Sequence, residues 1–510
     1  MTDAPKSDGL RSWVEGSGAD TRYHVGTLVY TRATLAMLFF WLLWGDFCYV
    51  VMETVMPSIM PLKFKALGAD NTTIGIVLTS VPWAINLCLN PIISTKSDRF
   101  RSRWGRRIPF IAFSLPFIVV CLIGLGTGDQ IGFWLHHHAA LAHLHPNIVA
   151  MGVLALLIIV FAMFNSFVNS TFWYLFNDVM PEHLLARFMS WFRLVSMGAS
   201  TLYNFYVFRF ALSHTAVIFI GAALVYLVGF SLMCWNVREG QYPPPPPYKG
   251  NETGPRAALT AIKTYGRECH GHPLYWCQFF ITFLGCVGGG ASAFGVFFAT
   301  ISLGLTLDQV GDLGGWQTMA VGCLIPISGW LADKFHPIRL VVIAVFLSSF
   351  IQIPLGFMWL FWHPAPDVIY KVVLALNIFV AAPITALTGV WDPPLFMRMF
   401  PRSRFGQFCS ANAMWRAGGA ILGASLAGKF LDIVTTYVGP TRSYLYIPFW
   451  QLTFSLPILI LVVLLYRNWK HCGGDHAYVA PLPADLQAAD IAAVEAATGS
   501  VAAPDSGRSR

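Results

Sequence analysis

Two carboxylates and a phenol stand inside the first long apolar run of this 510-residue chain: Asp46, Tyr49 and Glu53. On a helix, seven residues make about two turns, so Asp46 and Glu53 share a face with Tyr49 between them. An ionisable group at the centre of an apolar span costs roughly 2.5–3.5 kcal/mol on insertion scales, which makes it a functional candidate by default. Carboxyls held among apolar helices can bind and release a proton near neutral pH. Asp46 and Glu53 are therefore candidates for proton coupling. The alternative is a fixed ion pair that holds helices together, with Arg193 or Arg416 as partner.

A second constellation is Asn165, Asn169 and Trp173, whose four-residue spacing puts two amides and an indole in one line along a helix. Sugars need that combination: hydroxyls want polar partners, and the apolar face of a pyranose packs on an aromatic ring. Hydrogen bonding between helices is the competing use. Asn377, Thr385, Thr388 and Trp391 form a looser counterpart later in the chain. Five histidines, His136, His137, His138, His143 and His145, are expected in the loop between spans three and four. With no acid or cysteine nearby, they read as a solvated loop more than a metal site. No nucleotide-binding loop, nucleophile elbow or zinc-protease signature is present, so no enzymatic activity, no cofactor and no bound metal are expected.

The elements that must position these residues follow from composition. Only 11% of the chain is charged while 56% is hydrophobic. The mean hydropathy is +0.59. Such a surface faces lipid. Apolar runs of about 20 residues are long enough to cross a bilayer. Six fall within residues 34–235 and six within 273–467. The expectation is an all-α membrane protein of twelve transmembrane helices in two six-helix bundles. A 1–33 arm precedes them, a 236–272 linker containing Pro243 to Pro247 separates them, and a 468–510 tail, mostly disordered, follows. No removable signal peptide is evident. The ten cysteines stand singly in apolar stretches and read as small hydrophobes.

Most of the 33 Lys and Arg residues fall in the arm, the linker, the tail and alternate loops. That bias predicts cytoplasmic N- and C-termini in a cell membrane. It also accounts for the net charge of +8 without nucleic acid. A monomer is expected.

The loop after span two, Ser97-Asp98-Arg99-Phe100-Arg101-Ser102-Arg103-Trp104-Gly105-Arg106-Arg107, has a shorter echo after span eight in Ala332-Asp333-Lys334-Phe335-His336-Pro337-Ile338-Arg339. After spans four and ten, Pro181, Ala186, Phe188 and Ser190 align without gaps onto Pro401, Gly406, Phe408 and Ser410. Recurrence at matching places is the mark of an internal repeat. On these motifs the chain resembles the major facilitator superfamily. The resemblance implies two rocking halves and a cytoplasmic gate of ion pairs made and broken in turn, formed by Asp98, Arg99, Arg106, Arg107 and Asp333, with Arg193 and Arg416.

A narrower likeness rests on Asn90-Pro91-Ile92-Ile93 followed by Ser102-Arg103-Trp104-Gly105-Arg106-Arg107. It resembles the glycoside, pentoside and hexuronide:cation symporters, including the melibiose permeases. Ser97-Asp98-Arg99, Gly105-Arg106-Arg107 and Pro109-Phe110-Ile111 are similar to the sucrose/proton symporters, and Phe47-Cys48-Tyr49 with Glu53 to their animal members. Where the melibiose type carries sodium-site carboxylates, this chain has Asn86, Asn90 and Asn169. Amides offer oxygen but no charge, so no sodium site is expected there. The implied function is proton-coupled symport of a sugar or glycoside, with Tyr49, Asn86, Asn90, Asn165, Asn169, Trp173, Asn377 and Trp391 contacting the solute. An exporter of drugs or metabolites, or a sensor that keeps the fold without turnover, remains as an alternative.

Overall fold

The computed structural model describes residues 12–15, 21–138, 143–241, 265–401 and 404–481. Twelve long helices occupy them. In the first half α1 spans Arg32–Ala66, α2 Asn71–Arg99, α3 Ile108–His138 and α4 Pro146–Val179. Helix α5 runs over Glu182–Leu202, Tyr203–Val207 and Phe208–Phe210, and α6 over Thr215–Asn236. In the second half α7 spans Pro273–Ser302, α8 Leu307–Lys334 and α9 Pro337–Leu360. Helix α10 runs over Pro366–Leu376, Asn377–Ala381 and Ala382–Met399, α11 over Phe405–Val438 and α12 over Ile447–His471.

Ten of the twelve are long and apolar enough to span a bilayer. The two below that level are α5, with Arg187 and Arg193, and α8, with Asp308, Asp312 and Lys334. Both line the space between the halves, where water and the partner half tolerate polarity that lipid would not. Helix α1 is longer than the apolar run suggested because it continues through Pro57 and Pro61. Neighbouring helices support a proline-interrupted span, and the hydroxyls of Thr54 and Ser58 donate to the carbonyls of Val50 and Thr54, each at 2.6 Å.

The arm before α1 contains an antiparallel sheet of β1 (Ser12–Glu15), β2 (Arg22–Val25) and β3 (Leu28–Tyr30). Tyr23 stacks on His183 at the head of α5, with ring centroids 5.7 Å apart, and Thr27 Oγ1 accepts from the Gln241 backbone N–H at 2.8 Å. Strands this short carry too little alternation to be read from sequence, and packing on the first half holds them. The chain beyond α12 also packs: Asp475 pairs with Arg339, and the Tyr478 hydroxyl donates to Met399 O at 2.8 Å. The proline run, Pro243 to Pro247, and the tail beyond residue 481 lie outside the described residues. His136, His137 and His138, expected in a loop, form the last turn of α3, where the rings of His137 and His138 bond carbonyls one turn back.

The internal repeat is visible in the packing. Phe188 and Phe408 are both fully buried, and each lies against a phenylalanine at the end of the preceding helix, Phe176 at 5.2 Å and Phe400 at 5.5 Å.

The two halves meet at the end opposite the arginine-rich loops. There α2 and α11 approach so closely that a Cβ on Gly75 would lie 2.3 Å from Ala424 O, and one on Gly428 2.4 Å from Asn71 O. Gly428→Val is therefore expected to push α2 and α11 apart at a cost of about 1–3 kcal/mol. The check is labelling of a cysteine placed at Ser58 by an impermeant thiol reagent added from that side: it should rise in Gly428→Val and stay at background in Gly152→Val, where a Cβ meets nothing within 4 Å.

Candidate functional site: the cavity between the halves

Between the halves lies a cavity of about 720 Å³, within the roughly 300–1,000 Å³ of small-molecule sites. Helix α1 contributes Pro57 and Ser58, α2 Thr79 and Trp83, and α5 Asn204 and Phe208. From the second half come Cys286, Ser292 and a glycine-rich stretch of α7, Val310 and Gly314 of α8, and Ala420 of α11. No charged side chain is among the lining residues. Thr79 sits in a π-helical turn, Ile76–Ser80, that interrupts α2. The next hydroxyl, Ser80, crosses to the other half and donates to Ile421 O. Such turns release a helix from its regular register and recur at functional sites.

The α1 constellation divides. Glu53 is solvent-exposed although protein surrounds it on most sides, and it stands one helical turn before Pro57, a residue of the cavity lining. The Tyr49 hydroxyl donates to Glu53 Oε1 at 3.4 Å, and its ring is buried between Phe172 and Phe230. Asp46 is fully buried where α5 closes over the same stripe. Ser196 donates to its Oδ2 at 2.7 Å, and Oδ1 has no hydrogen-bond partner. Spacing put the two acids on one face; only the path of α5 separates a sealed carboxylate from an open one. Arg193 lies near enough to Asp46 to act on it electrostatically, whereas Arg416 pairs with Asp392 of α10.

The other expected solute contacts are scattered. Asn90 Nδ2 donates to Asn86 Oδ1 at 2.8 Å, and Ser170 donates to Asn90 Oδ1, so this pair ties α2 to α4. Asn165 Oδ1 is buried without a partner, Asn169 is half-buried, and Trp173 is exposed against Phe176 and Phe192. Asn377 begins the π-helical turn of α10. None of these residues lines the cavity as bounded above. The side chains of Trp391 and Asp333 lie outside the described residues. Ser58, Thr79, Trp83, Asn204 and Ser292 were missed, because single hydroxyls and amides in apolar helices are too common to single out. The i+4 step from Glu53 to Pro57, beside Ser58, was the one available signal.

The arginine-rich loop builds a compact cluster. Asp178, at the end of α4, accepts from Arg106 Nε at 2.9 Å and Nη2 at 2.5 Å, and from Arg107 Nε at 3.1 Å. Arg107 also pairs with Asp98, donates to Ser97, and lies 4.9 Å from the centre of the Tyr174 ring. Glu239, just past α6, accepts from the backbone N–H groups of Arg106, Arg107 and Ile108 at 2.7–2.9 Å. A carboxylate there satisfies the free donors at the start of α3 and complements its dipole. These partners all belong to the first half. Asp98, Arg106 and Arg107 thus come together with Asp178 and Glu239. Arg99 ends α2 beside them. Among the described residues no group of three or more His, Cys, Asp or Glu could hold a metal.

Two helical halves around a cavity, with ten lipid-compatible spans, define a multi-pass membrane carrier. The sequence profile of the Major Facilitator Superfamily matches residues 42–424, and the chain belongs to that family of transporters. No curated protein sequence matches the chain. Among solved structures, a bacterial homologue of the iron transporter ferroportin, in an inward-facing state, superposes with a TM-score of 0.58 at 12% identity, over 84% of this chain and 99% of that one. The nucleoside transporter NupG gives 0.54 at 13% identity, over 86% and 99%. The inward-open xylose transporter XylE from E. coli gives 0.54 at 14% identity, over 84% and 95%. At these identities the likeness concerns the fold.

The cluster carries its own prediction. Asp178→Asn removes the counter-charge shared by the buried Arg107 and the largely buried Arg106, and breaking such a buried pair costs about 3–5 kcal/mol. Asp98→Asn, at a side chain 53% exposed, costs about 0–1 kcal/mol. Thermal unfolding in detergent should rank them in that order.

Proposed function

We propose that this protein is a secondary active transporter that carries a sugar or glycoside together with a proton, by alternating access of the cavity between its halves. The observation that carries the reading is Glu53: a carboxylate halfway along α1, solvent-exposed one turn from the cavity-lining Pro57 and Ser58, and hydrogen-bonded by Tyr49. A proton on Glu53 removes a charge near a lining of hydroxyls, an amide and an indole, and a neutral polyol matches that lining. Ser58, Thr79 and Asn204 would take the hydroxyls and Trp83 the apolar face of the ring. Among structural neighbours, NupG is named as a nucleoside transporter and XylE as a xylose transporter; both cargoes are hydroxyl-rich.

The arginine-rich loops are assigned to the cytoplasm, in a cell membrane, with both termini on that side and one chain acting alone. The conformation described is then inward-facing. Opening to the outside requires parting Asp432 from Asn71 and Thr72, and Arg209 from Asp308. Asp46, sealed under Ser196, holds α1 to α5, and Glu53 is the coupling group.

The test is uptake of a labelled sugar panel into proteoliposomes under imposed proton or sodium gradients. An inward proton gradient should drive accumulation. Glu53→Gln should lower it about tenfold or more, the loss of one essential acid–base group, while solute exchange without a gradient survives. Proton-driven accumulation that persists in Glu53→Gln would sink the coupling assignment. Uptake driven by sodium alone would overturn the reading of Asn86 and Asn90.

A further inference from the structure

A second hollow, of about 390 Å³, lies within the first half, walled by three helices. Helix α1 lines it from Phe47 to Val55, α5 from Ala199 to Val207 and α6 from Ile218 to Val225. Each stretch covers seven or eight residue steps, about 10–12 Å of helix. The hollow is therefore a trench along the helix axes, and so roughly along the bilayer normal. Helices α5 and α6 fix its depth. Val207 stands three residues before Phe210, the end of α5, and Ile218 three after Thr215, the start of α6. From that end the trench runs toward the middle of the span, the reach of one leaflet, about 15 Å of hydrocarbon.

Its lining is chemically of one kind. None of the lining residues is charged, and the polar ones are Tyr203 and Tyr206. Tyr203 is buried, whereas Tyr206 is 66% exposed at the end near the α5–α6 connection. One turn beyond Tyr206, the partly exposed Arg209 and Asp308 form their ion pair, which marks that level as the polar boundary of the membrane. A tyrosine at such a boundary has hydrocarbon along its ring and wet ester groups at its hydroxyl. Water does not fill an apolar hollow of this kind, and an empty one forfeits dispersion contacts along its whole lining.

We propose that the trench is a binding site for one glycerophospholipid of the leaflet away from the arginine-rich loops, with an acyl chain in the trench and the ester end hydrogen-bonded by the Tyr206 hydroxyl. The chain lies back to back with the solute cavity. Asn204 and Phe208, neighbours of Tyr203 and Val207 in α5, line that cavity from the other side of the helix. The lipid thus supports one wall of the cavity through the π-helical turn Tyr203–Val207. A further apolar hollow, between Phe350 and Phe361, is lined by α9 alone and represents ordinary contact with bulk lipid.

The test uses the full chain in vesicles of phosphatidylcholine doped with a phosphatidylcholine that carries a diazirine midway along one acyl chain. After irradiation, label is quantified on the α5 and α6 peptides containing Leu202 and Val225, and on the α9 peptide containing Phe350 to Phe361. Gly221 is exposed on the trench wall and a Cβ there meets nothing within 4 Å, so Gly221→Phe puts a ring into the trench without striking backbone. It should lower the α5 and α6 label about tenfold, the loss of contact with a few methylenes, and leave the α9 label within about twofold. Val225→Phe, at another exposed position of the same wall, should do the same and covers a failure of the first variant to fold. Equal labelling of wild type and both variants, the signature of bulk lipid only, would overturn the site. Native mass spectrometry of the detergent-purified chain should show one retained phospholipid, with retention falling about fivefold in Tyr206→Phe for the loss of one hydrogen bond. No retained lipid, or a dimer of the chain in its place, would overturn the proposal, and unchanged retention in Tyr206→Phe would overturn the assignment of the ester end.

Discussion

One carboxylate sets the state of the molecule. Asp432, near the end of α11, receives the Asn71 and Thr72 backbone N–H groups at 3.0 and 2.8 Å, the Asn71 amide at 2.9 Å and the Thr72 hydroxyl at 2.6 Å. It therefore caps the start of α2 from the opposite half, where free N–H groups and the helix dipole favour negative charge. Tyr444 and Lys65 complete the junction by donating to Asn71 Oδ1 at 2.8 and 3.2 Å. Arg209 and Asp308 add an exposed ion pair at 3.1 Å between α5 and α8 at the same end. With the halves joined there, the cavity has its floor. Charge-assisted hydrogen bonds are individually strong, but desolvation offsets much of their gain.

The opposite end is organised differently. The Arg106, Arg107 and Asp178 cluster and the Glu239 cap bind α2, α3, α4 and the exit of α6 into one body. In the second half Glu268 pairs with Arg404 and accepts from Gln407 at 2.7 Å, while Arg339 pairs with Asp475. In each half an acid a few residues past the sixth helix, Glu239 or Asp475, returns to the start of the third. These contacts tie each half to itself.

The two-half architecture was legible because its cause is local. Helix number follows from apolar run length, and the repeat follows from short motifs such as Pro181 to Ser190 and Pro401 to Ser410. The arginine cluster was half legible: Asp98, Arg106 and Arg107 stand in one loop, but Asp178 and Glu239 are 72 and 133 residues from Arg106 and carry no local sign of their role. The cavity lining was mostly illegible, because Ser58, Asn204 and Ser292 acquire meaning only where three helices bring them around one space.

By itself the sequence determined the number of spans, their grouping into two related halves, the basic loops and the presence of two acids in α1, since hydropathy and charge act through each segment's own contact with lipid or water. Tertiary structure alone decided which acid is open. Asp46 and Glu53 share a face by helical spacing, yet Ser196 of α5 covers the first and the second stays solvent-exposed. Pairing between remote helices likewise placed Asp432 on α2. A residue's neighbours across a helix interface are set by how whole helices pack, and no periodicity within one segment encodes that.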